Sequence, residues 1–240
     1  AVVRSFCGLA QTTEFYRSIL HTLLRVAAGF AAGMAAGLLA GTLTAFSRAA
    51  DVLLTPLKNI IKATPVTSFI VLILLYFSSN VPPSAVAFLA VLPICWSNVC
   101  EGLRQTDKKM TELAHAYAFG RKKTLREIYF PAVRPYLSAA ATTGLGFAWK
   151  SCVAAEVIAL SKNSVGRALY ESKLYLETAE LFAWTASVVL ISVLFEKLLV
   201  HKLFKNKNTE GTAGRRSESL EHGHASCEAE LQYKSDAYAE

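Results

Sequence analysis

Two charges stand where charges are costly. Lys150 and Glu156 lie inside one apolar run, residues 136–160, where a charge facing lipid at the bilayer centre costs about 2.5–3.5 kcal/mol or more. They are six residues apart, about 240° around a helix of ~3.6 residues per turn, so a direct pair on one helix is disfavoured. Each is expected to face a pathway, water or another helix; the plainer alternative is a snorkelling or internally paired charge. Lys150 would attract an anion, and Glu156 would serve as a gate or a helix-packing residue. Pro93 interrupts a second apolar run, residues 84–100, and should kink it. Short, proline-broken spans line the pathway in transporters, with a simple packing kink as the alternative. His21 and Arg25, at the start of a third run, read as interfacial anchors.

Other chemistry is not visible. The chain has no Ser/His/Asp constellation, H-E-x-x-H zinc motif or paired catalytic carboxylates. It also lacks a G-x-x-x-x-G-K-[ST] phosphate loop, so it is not expected to be an enzyme or to hydrolyse ATP itself. The five cysteines (Cys7, Cys95, Cys100, Cys152, Cys227) include no C-x-x-C pair, and three sit in apolar runs. They read as small core residues. His222 and His224 have no Cys or carboxylate spacing around them that supports a metal site, and no cofactor is expected.

The elements that must position Lys150 and Glu156 are apolar helices. Apolar residues make up 53% of the chain, against about 45–50% in soluble proteins, and almost all lie before residue 206. Five runs stand out: 19–46, 63–79, 84–100, 136–160 and 181–204. The two short middle runs, joined through Val-Pro-Pro, form an antiparallel hairpin. In the first run Gly29, Gly33, Gly37 and Gly41 recur every four residues, which lines them on one helix face where a second helix can approach closely. Nothing alternates with period two, which excludes a β-barrel.

The net charge of +7 would suit nucleic acid, but its distribution does not. Arg104, Lys108, Lys109, Arg121, Lys122, Lys123, Arg126 and Arg134 crowd one inter-helix loop, residues 101–134. Such a loop is cytoplasmic by the positive-inside rule. Residues 161–180, whose Lys162, Arg167 and Lys173 are balanced by three glutamates, are then external. Alternation puts residues 1–18 outside and residues 47–62 inside. The polar tail, residues 206–240, is expected to be a disordered cytoplasmic segment. The chain begins at Ala1 without a signal-peptide pattern, and an upstream start with a further helix is expected.

Loop 101–134 is long and helix-forming. It reads as two short amphipathic helices around a turn at Gly120, stopped at Pro131. The first exposes Glu112 and packs Leu113, Ala114 and Tyr117; the second holds Leu125, Ile128 and Tyr129. An ordered loop of this kind exists to dock a partner.

The loop resembles the cytoplasmic signature of permeases from binding-protein-dependent ABC importers, E-A-A-x-x-x-G, nine residues, then I-x-L-P. Glu112, Ala114, Ile128 and Pro131 match at the family spacing, while Leu113, Ala118 and Phe130 depart from it. Asn98, Glu101-Gly102-Leu103 and Asp107 upstream resemble the subfamily that imports nitrate, taurine and other sulfonates. So do Leu23, Arg25, Gly29, Ala63-Thr64-Pro65, Ala148-Trp149, Ala155-Glu156 and Val165-Gly166.

The resemblance implies an all-α, multi-pass bundle of the type I importer kind, about five transmembrane helices over residues 19–205, in a bacterial cytoplasmic membrane. It implies that Glu112, Ala114, Ala118, Phe119 and Gly120 contact a separate ABC ATPase, with Ile128 and Pro131 bracing the loop. The implied partners are ATPase subunits, an extracytoplasmic substrate-binding protein and a second permease copy, with no nucleic acid. The implied substrate is a small anion or a vitamin precursor. A stand-alone secondary transporter or channel is the competing class. It calls for coupling-ion carboxylates in the bundle or repeated halves, and the sequence displays neither.

Overall fold

The computed structural model describes residues 2–117 and 119–204, and every described element is helical. Ala118, the Leu113 side chain and the tail expected to be disordered, residues 206–240, lie outside what is described. Two compact units are distinguished, Ala1–Glu196 and Lys197–Glu240, and the helical core lies in the first. Its helices are α1 (Val2–Leu9), α2 (Thr13–Phe46), α3 (Arg48–Ala63), α4 (Val66–Tyr76), α5 (Pro82–Arg104), α6 (Lys108–Ala116), α7 (Arg121–Thr124), α8 (Phe130–Ala159) and α9 (Val165–Leu174). The last helix, α10 (Thr178–Phe204), begins in this unit.

The spine is the parallel pair α2 and α5. All four glycines of the four-residue step are buried. A Cβ added at Gly29 would lie 2.4 Å from the Ser84 carbonyl oxygen, and one at Gly37 would lie 2.6 Å from Cys95 Cβ. At Gly33 and Gly41 it would come within 2.8 Å of Val91 and Val99 Cβ. Helix α5 thus presents Ala87, Val91, Cys95 and Val99 with the same step as the glycines opposite. Two backbones meet in register, as the spacing predicts.

Helix α8 runs antiparallel to both and closes the core. Val26, Ala87, Val91, Ala148, Trp149, Cys152 and Val153 form one buried cluster, and Cys95, Val99, Leu103, Val133 and Ala140 a second nearer the 105–129 loop. The three cysteines Cys95, Cys100 and Cys152 are buried core residues.

Length and apolar content qualify α2 and α5 as membrane spans, and a third if α3 and α4 count as one span bent by 98°. Sequence reasoning expects about five. The run at 63–79 contracts to α4, 11 residues long, about 16 Å of helix against a hydrocarbon core of ~30 Å. Helix α8, at 30 residues, is long enough. Its apolar content is diluted by the serines, threonines and glycines that let it pack in the bundle, and by Lys150 and Glu156. Helix α10, at 27 residues, is long enough as well, and its stretch Thr178–Leu194 is apolar.

Some local expectations change. Residues 47–62, placed only as an inner connection between two runs, are helix α3, whose first turn is capped by Ser47 Oγ accepting the Ala50 N–H. Asp51 pairs with Arg104 at 2.6 Å, and Lys62 Nζ donates to Ser97 Oγ at 3.0 Å, so α3 lies along α5. Pro93 is buried within α5, which continues through it as helix. Pro131 does not stop the second loop helix. A π-turn, Leu125–Tyr129, joins α7 to α8, with the Phe130 N–H donating to the Leu125 carbonyl. That wider turn carries the backbone past a proline that has no N–H to give. At the other end, α2 starts at Thr13, inside the segment expected to precede it, and α1 lies before that.

Candidate functional site

The end of the bundle opposite the 105–129 loop holds a buried ion pair. Glu156, in the last turn of α8, is fully buried, and Arg25 Nη1 on α2 donates to its Oε1 at 2.9 Å. The Thr22 hydroxyl lies 3.0 Å and 2.9 Å from the two carboxylate oxygens, and the Gly166 N–H donates to Oε2 at 3.2 Å. Thr22 Oγ1 in turn accepts the Val165 N–H at 3.2 Å. Thr22 and Arg25 are three residues apart, so they share a face of α2. The first turn of α9 can approach because residue 166 is glycine. A Cβ there would stand 2.4 Å from Glu156 Cβ.

Arg25, read as an interfacial anchor, is therefore the partner of a buried carboxylate. Its second nitrogen, Nη2, donates to the Lys162 carbonyl at 2.9 Å and to Asn80 Oδ1 at 3.2 Å. Asn80 Oδ1 also accepts the Lys162 N–H at 3.2 Å, and the Ser161 hydroxyl donates to the Ser79 carbonyl. One guanidinium fork, suited by its planar geometry to such bridging, thus joins α2, α8, the α4–α5 turn and the α8–α9 loop. Thr22, Asn80 and Gly166 were not among the expected site residues. The available signal was an arginine in a long apolar helix, and a single carboxylate between Tyr129 and Tyr170.

Lys150 stands apart from this network. It is exposed on α8, on a side shared with exposed Thr143, Phe147, Ala154 and Ile158, and no ion pair holds it among the described residues. Pro93 is buried in α5. The structure does not bring Lys150, Glu156 and Pro93 together.

At the opposite end, the loop projects from the bundle. Asp107 Oδ1 accepts the Lys109 N–H at 2.9 Å and starts α6. The Phe119 N–H donates to the Ala114 carbonyl at 2.9 Å and closes it. Ala114 is buried and Glu112 exposed, as read from the sequence. Tyr117, read as packed, is exposed at 71%, and Leu125 on the second helix at 57%. Phe119 is half-buried beneath Lys123, whose Nζ is 4.1 Å from its ring centroid. Gly120 is exposed and needs no left-handed backbone. Ile128 is half-buried, Pro131 is exposed, and Tyr129 meets Phe46 edge to face at 5.3 Å.

A bundle of apolar helices, with a charge pair locked inside one end and a long basic helical loop at the other, is the build of a membrane transport subunit. Residues 33–201 match the family described as binding-protein-dependent transport system inner membrane component, and the chain belongs to that family. It is 26% identical over 213 residues to the putative aliphatic sulfonates transport permease protein SsuC of Bacillus subtilis, covering 87% of this chain and 76% of that one. To the riboflavin transport system permease protein RibX of Chloroflexus aurantiacus it is 31% identical over 193 residues, 77% of this chain and 72% of that one. A crystal structure of an amino acid ABC transporter with histidines shares the fold, with a TM-score of 0.64 at 17% identity over 81% of this chain and 93% of that one. The chain is the permease component of an ABC importer, a translocation subunit.

Proposed function

We propose that this permease imports a small organic anion of the sulfonate type, driven by a separate ABC ATPase docked on the 105–129 loop. Two copies of the chain sit side by side in a bacterial cytoplasmic membrane, loop inward, and an extracytoplasmic binding protein delivers the solute between them. The observation that carries the substrate class is Lys150: an exposed cation within α8 with no ion-pair partner among the described residues. A cation in that setting is costly to keep unless it meets water or an anion. The relative concerned with aliphatic sulfonates supports the same class. The relative concerned with riboflavin favours a vitamin-type solute as the second reading.

Uptake by cells expressing the full importer tests this. Lys150→Gln is expected to lower uptake of labelled alkanesulfonate at least about tenfold, the scale of one lost charge-assisted contact, while the protein keeps its thermal stability. Uptake of riboflavin in place of sulfonate, unaffected by Lys150→Gln, would replace the anion with the vitamin reading.

Docking is tested separately by co-purification in detergent with the cognate ATPase. Exposed Glu112 on α6 supplies charge at the proposed contact. Glu112→Lys is expected to cut the recovered ATPase by about tenfold or more, because reversing a charge at an interface places like against like. Full recovery with Glu112→Lys would remove α6 from the contact.

A further inference from the structure

We infer that Arg25 is a two-armed strap: its bonds to Glu156 and the Lys162 carbonyl are the fixed joint of this end of the bundle, and its bond to Asn80 is the contact that releases when this end opens. The inference rests on the chain's role in transport, but not on which solute is carried or which ATPase is docked.

Glu156 and Asn80 differ in everything that sets the strength of a hydrogen bond. Nη1 meets an ionised acceptor that is fully buried and already held by Thr22 and the Gly166 N–H. A charge-assisted bond in so enclosed a place is strong and costly to break. Nη2 meets two neutral acceptors at the exposed surface: the Lys162 carbonyl, on the same corner as Glu156, and Asn80 Oδ1, which water can replace. The elements divide the same way. Helix α9 is seated on α8 with no room for a methyl at Gly166, so the α8–α9 corner moves with Glu156 as one piece. The α4–α5 turn is different. Phe77, Ser78, Asn80 and Val81 are exposed, and it is tied to that corner through Asn80 Oδ1 and the Ser79 carbonyl. Helix α4 beyond it buries one residue, Ile70. The α4–α5 turn is therefore the side that swings, and Asn80 is where the strap holds it.

Lysine at position 25 keeps Glu156 and releases Asn80, since one ammonium can reach Glu156 but cannot fork to Asn80 and Lys162. The reporter is Ser79→Cys, half-buried in the parent, in a background carrying Cys7→Ser and Cys227→Ser, with the three buried cysteines left in place. Labelling by a membrane-impermeant maleimide is timed in vesicles, and thermal midpoints are read in detergent. Arg25→Lys is expected to speed labelling about fivefold, the factor one net hydrogen bond is worth, with its melting midpoint close to the parent's. Asn80→Ala, which removes both bonds to that oxygen, is expected to speed it at least as much. Glu156→Gln, by contrast, lowers the midpoint. A lysine variant that melts with Glu156→Gln, or an Asn80→Ala variant that labels at the parent's rate, overturns the proposal.

Discussion

Glu156→Ala is expected to lower the thermal midpoint of the detergent-solubilised protein by roughly 6–20 °C, the range expected from about 3–5 kcal/mol in a chain of this size. The carboxylate accepts from Arg25, from Thr22 and from the Gly166 N–H while fully buried. Truncating it leaves Arg25 Nη1, on a side chain that is only 14% exposed, facing a void, and the Gly166 N–H with no acceptor. An orphaned buried charge is worse than no charge, which is why the single change is severe. The double variant Arg25→Met with Glu156→Met fills the same space with flexible apolar chains and should regain most of the loss. Size-exclusion chromatography after a heating series reads both. If Glu156→Ala melts with the parent, water already reaches the pair and the lock is not structural.

The second large effect lies in the α2–α5 seam. Gly37→Leu is expected to prevent recovery of a monodisperse protein, because its first carbon alone would stand 2.6 Å from Cys95 Cβ and 2.9 Å from the Leu92 carbonyl oxygen. Gly37→Ala is the graded version and should cost about 1–3 kcal/mol, the usual penalty of overpacking where backbones touch. Adding Cys95→Gly removes the opposing Cβ and should restore part of it. Gly146→Ala is the control, since no neighbouring atom lies within 4 Å of that position. Should Gly37→Ala melt like Gly146→Ala, the close approach is not what holds the helices together.

That seam was legible because its signal is local. Four glycines at one spacing can be read without knowing the partner, and the partner's own step of small and β-branched residues completes it. The ion pair was not legible in the same way. Arg25 and Glu156 are 131 residues apart, and an arginine early in an apolar helix looks like an anchor until something opposite is known. Asn80 and Gly166 matter through loop positions that no periodicity encodes. Helix α3 carried its own signature, with Val52, Leu53, Leu57 and Ile60 on one exposed stripe and Ser47 as cap. Its basic residues drew attention to topology instead. The passage through Pro131 depended on a π-turn, a hydrogen-bond pattern that residue propensities do not specify.

The meshing of α2 with α5 also limits how this molecule can move. Because each Cβ of α5 sits in a notch left by a missing Cβ on α2, the pair is toothed like a rack. A slide of less than one four-residue pitch, about 6 Å of helix rise, would drive side chains into backbone. Gradual slippage between these two helices is thus closed to the protein. They travel as a single stave, and any rearrangement must be taken up at joints that are not toothed, such as the 98° elbow between α3 and α4.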